Sequence, residues 1–405
     1  MKKKILALIL SVVMVIGILP VYAFAEDDSF VSSDGLWQYV SSSANGGIEN
    51  IIITAYLGDS DSIVVPAFVD GKFVTGIYQQ VIANYTVKTA VISQGIQNIS
   101  CIMPTSVFFL KTKNTNYALE TLIIPESVSY FGPCLFSYLD NLKEISVSKF
   151  NNCFSSEDGV LYNKDKTVLI DYPSKKADEE FTVPSSVTEI NDYAFVKCYN
   201  LKRISVGDNV TYLGAYFLYS CPLLEEVKLG EGIDEVFAYS FYNCDSLETL
   251  AIPDSVTSWV NEGVGSECDL LKSVSIGSGC SQIRSNSFNK CNSLEKVIIK
   301  NPKTFVGEST WYKKAAFSGC PNTTTFYSYF GSKAESFTNT YKFEFRAIGD
   351  ADGDGIMDVN DIGAVMSASI GMLDIDENQS VVFDYNHDGV IDAFDVAAID
   401  RAMAE

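Results

Sequence analysis

The chain repeats itself every 23 or 24 residues, and a period that short constrains the fold more than any other feature. Aliphatic residues open units at Val187, Val210, Ile233 and Val256, and Cys280 opens a fifth, at spacings of 23, 23, 23 and 24. A unit of this size cannot bury a hydrophobic face alone. Copies must stack and share one core, which is the mark of a solenoid. Inside each unit a cysteine is followed at +3 by Leu and at +6 and +8 by aliphatic residues. The sets are Cys198/Leu201/Ile204/Val206, Cys221/Leu224/Val227/Leu229, Cys244/Leu247/Leu250/Ile252, Cys268/Leu271/Val274/Ile276 and Cys291/Leu294/Val297/Ile299. Alternation at the last two positions describes a short strand with one face inward, and stacking lines these strands into a parallel sheet.

Upstream of the cysteine, Phe195, Phe241, Phe288 and Phe317 recur in an (Ala/Ser)-Phe-x-x-Cys segment, expected to form a turn or short helix closing the opposite wall. Earlier units are less regular. Val128, Phe131, Phe136, Leu139, Leu142, Ile145 and Val147 fit the pattern, and Ile96 and Ile99 followed by Leu119, Leu122 and Ile124 fit it with an insertion. The in-phase motifs, among them SSVTEINDYAFVKCYNLKRISV and SLETLAIPDSVTSW, resemble the BspA-type, or Treponema-type, leucine-rich repeat over about residues 66 to 345. The resemblance implies a leucine-rich repeat solenoid, a parallel β-sheet with short helices or turns, assigned here to residues 66–347. The insertion from Phe154 to Pro184 is also typical of that family and is expected to form a hairpin turning near Asn163 to Lys166. Residues 26–65 are expected to form a β-rich cap, and Gly331 to Phe337 with the strand-like YKFEFRAI the other end.

Ten cysteines invite a disulfide reading. Five of them share one repeat slot, which is buried in the family, and a ladder of free, packed thiols behaves as small hydrophobes. Neighbouring coils lie about one strand spacing apart, roughly 4.8 Å, so an occasional bridge between rungs is geometrically possible. Cys280 takes an apolar start slot and is expected in the core, while Cys101, Cys134 and Cys153 are undecided. No C-x-x-C pair exists, which argues against a zinc site.

A second pattern occupies residues 348–405. Two twelve-residue loops, DADGDGIMDVND and DYNHDGVIDAFD, start 34 residues apart and place oxygen-bearing side chains at positions 1, 3, 5, 9 and 12 with glycine at 6. This suits a hard cation that takes six or seven oxygens, Ca²⁺ above all. The first loop offers Asp350, Asp352, Asp354, Asp358 and Asp361, with Ile356 contributing its backbone carbonyl; the second offers Asp384, Asn386, Asp388, Asp392 and Asp395, with Val390 in the same role. Unlike an EF-hand, position 12 is Asp rather than Glu, and no helix is read before either loop. A helix is read after each. Ile362, Val365, Met366 and Ile370 form its apolar stripe in the first half, and Val396, Ile399 and Met403 in the second.

These duplicated loop–helix units, carried by GDADGDGIMDVNDIGAVM and FDYNHDGVIDAFDVAAIDRAM, resemble the type I dockerin module over residues 349 to 405. The resemblance implies a small all-α domain folded around two Ca²⁺ ions that binds a cohesin module on a scaffold protein, usually in polysaccharide-degrading complexes of anaerobic bacteria, the cellulosomes. Its recognition positions fall on Val359, Asn360, Met366 and Ser367, then on Ala393, Phe394, Asp400 and Arg401. The two sets differ, which argues against equivalent docking by the two halves.

The N-terminus, three lysines before an apolar run from Ile5 to Leu19 and then Ala23-Phe24-Ala25, reads as a secretory signal peptide covering residues 1–25. The mature protein is expected to be secreted, with no membrane span. Net charge is −22, and residues 350–405 alone hold 14 acidic side chains against one arginine, a balance that excludes nucleic acid as a natural partner. The single histidine, His387, sits inside the second loop, leaving no Ser-His or Cys-His nucleophile pair. The expectation is therefore a secreted, non-catalytic binding or scaffolding protein whose repeat surface takes a protein or glycan ligand. Outward strand positions Arg203, Ser205, Glu226, Lys228, Thr249, Ala251, Ser273, Ser275, Lys296 and Ile298 are the candidates, and Tyr199, Tyr219 and Tyr242 either stack on sugars or cover coil edges. A hydrolase using paired carboxylates on the repeat surface is the alternative.

Overall fold

The computed structural model describes residues 29–42, 49–100, 117–132, 134–259, 263–307 and 315–404. The signal-peptide segment and Cys101 lie outside these residues. Inward Leu, Ile and Val side chains of successive coils stack as their spacing requires, and the resulting strands pair in parallel. One row of strands holds twelve members in three hydrogen-bonded blocks. They are Ser62–Val65, Thr89–Ile92, Thr121–Ile124 and Glu144–Val147; then Glu180–Thr182, Arg203–Ser205 and Glu226–Lys228; then Thr249–Ile252, Ser273–Ile276, Lys296–Ile299, Thr325–Ser328 and Glu344–Ala347. The registers are regular: Leu250 faces Val274, which faces Val297, which faces Phe326. A second row of two-residue strands, such as Glu189–Ile190 and Tyr212–Leu213, covers another side. At the N-terminal end Phe30–Val31, Trp37–Ser42 and Asn50–Tyr56 pair antiparallel, and the last pairs in parallel with Lys72–Tyr78. Ser62–Val65, inside the segment read as a cap, is already the first strand of the long row.

The Phe-x-x-Cys side is neither strand nor helix. Every regular coil turns twice through the left-handed region, five residues and one residue before its cysteine. Tyr193, Tyr216, Tyr239, Gly263 and Asn286 fill the first place, and Lys197, Ser220, Asn243, Glu267 and Lys290 the second. Left-handed backbone costs a non-glycine residue about 1 kcal/mol or more, and coil-to-coil hydrogen bonding offsets it. The Phe195, Leu218 and Phe241 amides donate to Phe217, Ser240 and Val264 carbonyls of the next coil at 3.2, 2.7 and 2.7 Å.

The cysteine slot has a physical reason of its own. Cys221, Cys244, Cys268 and Cys291 donate to the carbonyls of Phe195, Leu218, Phe241 and Gly265, each three residues before the preceding coil's cysteine, at 3.1, 3.1, 3.0 and 3.2 Å. Cys320 continues the series to Phe288 at 3.1 Å. The thiol is thus both a small apolar filler and a weak donor to an otherwise buried acceptor. All nine described cysteines are free; Cys280 is buried, Cys134 partly so, and Cys153 is exposed.

The insertion does more than form one hairpin. It turns at Asp158-Gly159 as well as between Asn163 and Val168, giving three antiparallel strands, Phe154–Glu157, Val160–Asn163 and Val168–Asp171. Its middle strand is buried on both faces. Leu161 packs into the core of residues 37–161, and Val160 and Tyr162 pack into the core of residues 160–337. The strand is a wall between two hydrophobic cores.

Two outcomes follow. Cys244→Ala leaves the Leu218 carbonyl unpaired and is expected to cost about 1–3 kcal/mol in denaturant unfolding, with Cys244→Ser recovering part of the loss. Leu161→Ala and Tyr162→Ala each remove a large buried side chain, at about 2–5 kcal/mol. Hydrogen exchange should rise chiefly before residue 150 in the first variant and after residue 165 in the second.

Candidate functional site

The two C-terminal loops adopt the same backbone design. Position 6 is Gly355 or Gly389, at φ +84 and +86, where an L side chain is disfavoured. The Gly355 amide donates to Asp350 at 3.1 Å and the Gly389 amide to Asp384 at 3.0 Å. Position 12 is fully buried in both halves. Asp361 accepts from the amides of Ala351, Asp352 and Asp358 at 2.7, 3.2 and 2.7 Å; Asp395 accepts from Asn386 and Asp392 at 3.1 and 2.9 Å. An aspartate is therefore long enough here, because the loop backbone folds around it. Asp354 and Asp388 accept from the amides of Ile356 and Val390, and Asp358 and Asp392 from those of Asn360 and Phe394. The side chains of Ile356 and Val390 themselves point to solvent.

Ligand oxygens of Asp350, Asp352 and Asp361 lie within 4.8 Å of one another. Burial pushes the Asp350 carboxyl above its usual range, against the Gly355 amide, and the nearby Asp361 charge adds to the rise. Asp384 is raised in the same way by burial, with Asp395 and Asp388 adding to it. One oxygen, Asp350 Oδ1, is buried without a hydrogen-bond partner. Converging carboxylates with a spare buried oxygen and an all-oxygen donor set fit a hard divalent cation.

Helices follow both loops, Val359–Ser369 and Ala393–Ala404, and pack on each other. A helix also precedes the second loop, which the sequence reading missed. Glu377–Phe383 starts in a capping box in which Asp376 accepts from the Gln379 amide and Gln379 returns a bond. Asp376-Glu377-Asn378-Gln379 is the signal that announced it. The predicted apolar stripes divide. Val365 and Ile399 are buried and Ile362 and Val396 partly so, but Met366, Ile370 and Met403 face solvent. Val359, Asn360, Met366, Ala393, Phe394, Asp400 and Arg401 are exposed, with Val359 and Phe394 68% and 72% accessible. Ser367 is partly buried and donates to the Gly363 carbonyl.

The array surface differs from expectation at two places. Lys296, read as a ligand position, pairs with Glu377 at 2.8 Å, and Ile298 packs into the C-terminal core. The C-terminal unit covers them both. The tyrosines also have their faces occupied: Tyr219 stacks on Tyr242 at 5.1 Å, and Lys175 lies 4.2 Å over Tyr199. Tyr193, Tyr216 and Tyr239 stack similarly at 4.7 and 5.2 Å. Each ring thus has at least one face taken by a neighbour, as expected of side chains that cover coil edges. Arg203 is engaged by Glu180 and Glu225 of adjacent coils. Lys228, Thr249 and Ala251 remain exposed, and Ser205, Glu226, Ser273 and Ser275 partly so. No helix among the described residues is long and apolar enough to cross a membrane.

Three solved structures are similar to this chain. The pneumococcal vaccine antigen PcpA is 21% identical, with 79% of this chain and 98% of that chain covered and a TM-score of 0.51. A leucine rich cell surface protein from Faecalibacterium prausnitzii is 19% identical over 73% and 100%, with a TM-score of 0.46. A leucine-rich repeat protein from Eubacterium ventriosum is 20% identical over 72% and 94%, also at 0.46. No curated protein matches the chain. The model of the BspA type leucine rich repeat region matches in six copies across residues 113–178, 174–295 and 238–346, more than half of the sequence, and the chain belongs to that family.

Proposed function

We propose that this is a secreted, non-catalytic binding protein: the repeat surface takes a protein or glycan ligand, and a dockerin-like module of residues 348–405 holds two Ca²⁺ ions and docks on a cohesin-type partner. One observation carries the docking half. Two loops share matching hydrogen-bond frames, carboxylates converge in the first of them, and the helices they launch leave Val359, Met366 and Phe394 exposed. Asp350, Asp352, Asp354, Asp358 and Asp361, with the Ile356 carbonyl, would hold one ion. Asp384, Asn386, Asp388, Asp392 and Asp395, with the Val390 carbonyl, would hold the other. The ions supply charge neutralisation, which an acidic segment with so small a core needs to stay folded. Large exposed apolar side chains beside polar ones suit a protein partner. The repeat face contributes an extended surface of short side chains, Ser205, Thr249, Ala251, Ser273 and Ser275, suited to a broad contact.

Adding Ca²⁺ to the full chain should raise the unfolding temperature of the C-terminal helices, and chelator should reverse it. An unchanged melt in both would sink the metal reading. With a panel of immobilised cohesin modules, capture should require Ca²⁺, and Val359→Ala or Phe394→Ala should weaken it about thirtyfold each, the scale of an interface hot spot. Capture that survives chelator, or ignores both substitutions, would overturn the docking assignment.

A further inference from the structure

The C-terminal module is seated on the end of the array, and the contacts of Tyr329 fall on the second of its two loops. Tyr327 and Ile348 share a buried core with Val365, Val382, Phe383 and Ile399, and Ile298 and Tyr329 pack against it. The Gly349 amide donates to the Val382 carbonyl at 2.9 Å. Tyr329 donates its hydroxyl to the carbonyl of Tyr385, position 2 of the second loop, at 3.0 Å. Its ring also meets Tyr385 edge-on at 5.2 Å and His387, position 4, at 5.9 Å.

The loops differ in sequence where this contact is made. Positions 2 and 4 are Ala351 and Gly353 in the first loop but Tyr385 and His387 in the second. Position 4 is left-handed in both, at φ +76 for Gly353 and +60 for His387. A histidine there carries backbone strain that a glycine does not, and here its ring lies against the array tyrosine. Asp384 and Asp388 of this loop line a cleft of about 440 Å³ with Ser275, Ile298 and Lys300 of the array.

We propose that the last coils of the array form the supporting half of the second cation loop, so that cation occupancy of that loop and seating of the module on the array are one linked equilibrium. This rests on reading the loops as Ca²⁺ sites. Linkage is reciprocal: whatever factor the array adds to cation affinity, the cation adds to seating. Tyr329 acts as a positioning residue, holding the backbone between the first two ligands, Asp384 and Asn386.

The test titrates Ca²⁺ into the full chain by calorimetry, with hydrogen exchange followed at residues 325–329 and 344–347. The wild type should bind two ions and gain protection in both strands. Tyr329→Leu should weaken one site about tenfold and leave the other unchanged, and the protection should fall away. Tyr329→Phe keeps the ring and deletes only the hydroxyl, guarding against a folding defect; a loss of about two- to fivefold at the same site is expected. Two bound ions with both affinities unchanged in the variants, or no change in strand protection, would overturn the linkage while sparing the loops. Absence of Ca²⁺ binding in the wild type would overturn both.

Discussion

Coil-to-coil hydrogen bonding is the interaction on which the rest of the molecule depends. Each coil has too little interior to fold alone, and its inward Leu, Ile, Val and Phe side chains are buried only because a neighbour lies one strand spacing away. The ladder runs through the strands and also through the turns, where paired left-handed residues aim amides at the next coil's carbonyls. Where a carbonyl has no amide to meet, the cysteine thiol supplies a donor. A position read from sequence as a packing slot is thus also a hydrogen-bonding one, and the series Cys221 to Cys320 keeps its phase for both reasons.

Much of this was legible in the sequence. The Cys/Leu/aliphatic phase placed the inward residues, because burial of alternate positions in a short strand leaves a strict pattern. The left-handed turns were not legible. Gly263, Asn243 and Asn286 suit such turns, but most of the places are filled by Tyr, Lys, Ser and Glu, which do not announce a left-handed backbone, and the conformation there is imposed by the neighbouring coil. The wall strand was half legible: Asn163 to Lys166 showed as a turn, while Asp158-Gly159 was passed over and the double-sided burial of Val160, Leu161 and Tyr162 looks like an ordinary apolar run.

At the candidate site the two loops and the carboxylates each would offer could be listed from spacing alone, since loop geometry is local. What escaped was tertiary. The helix Glu377–Phe383 is short and half covered, so its apolar end reads weakly without its capping residues. Lys296 and Ile298 read as free strand positions because nothing local reveals that the chain folds back over them. The tyrosines, rich and regularly spaced, suggested a binding platform, but their regular spacing brings them into stacks with one another.

The wall strand also bears on how such a chain changes length over generations. Because Leu161 faces one core and Val160 and Tyr162 the other, whole coils can be duplicated or deleted on one side without altering what the other side packs against. The insertion divides the gene product into two segments that can lengthen independently, with the module fixed to the last coil of only one of them.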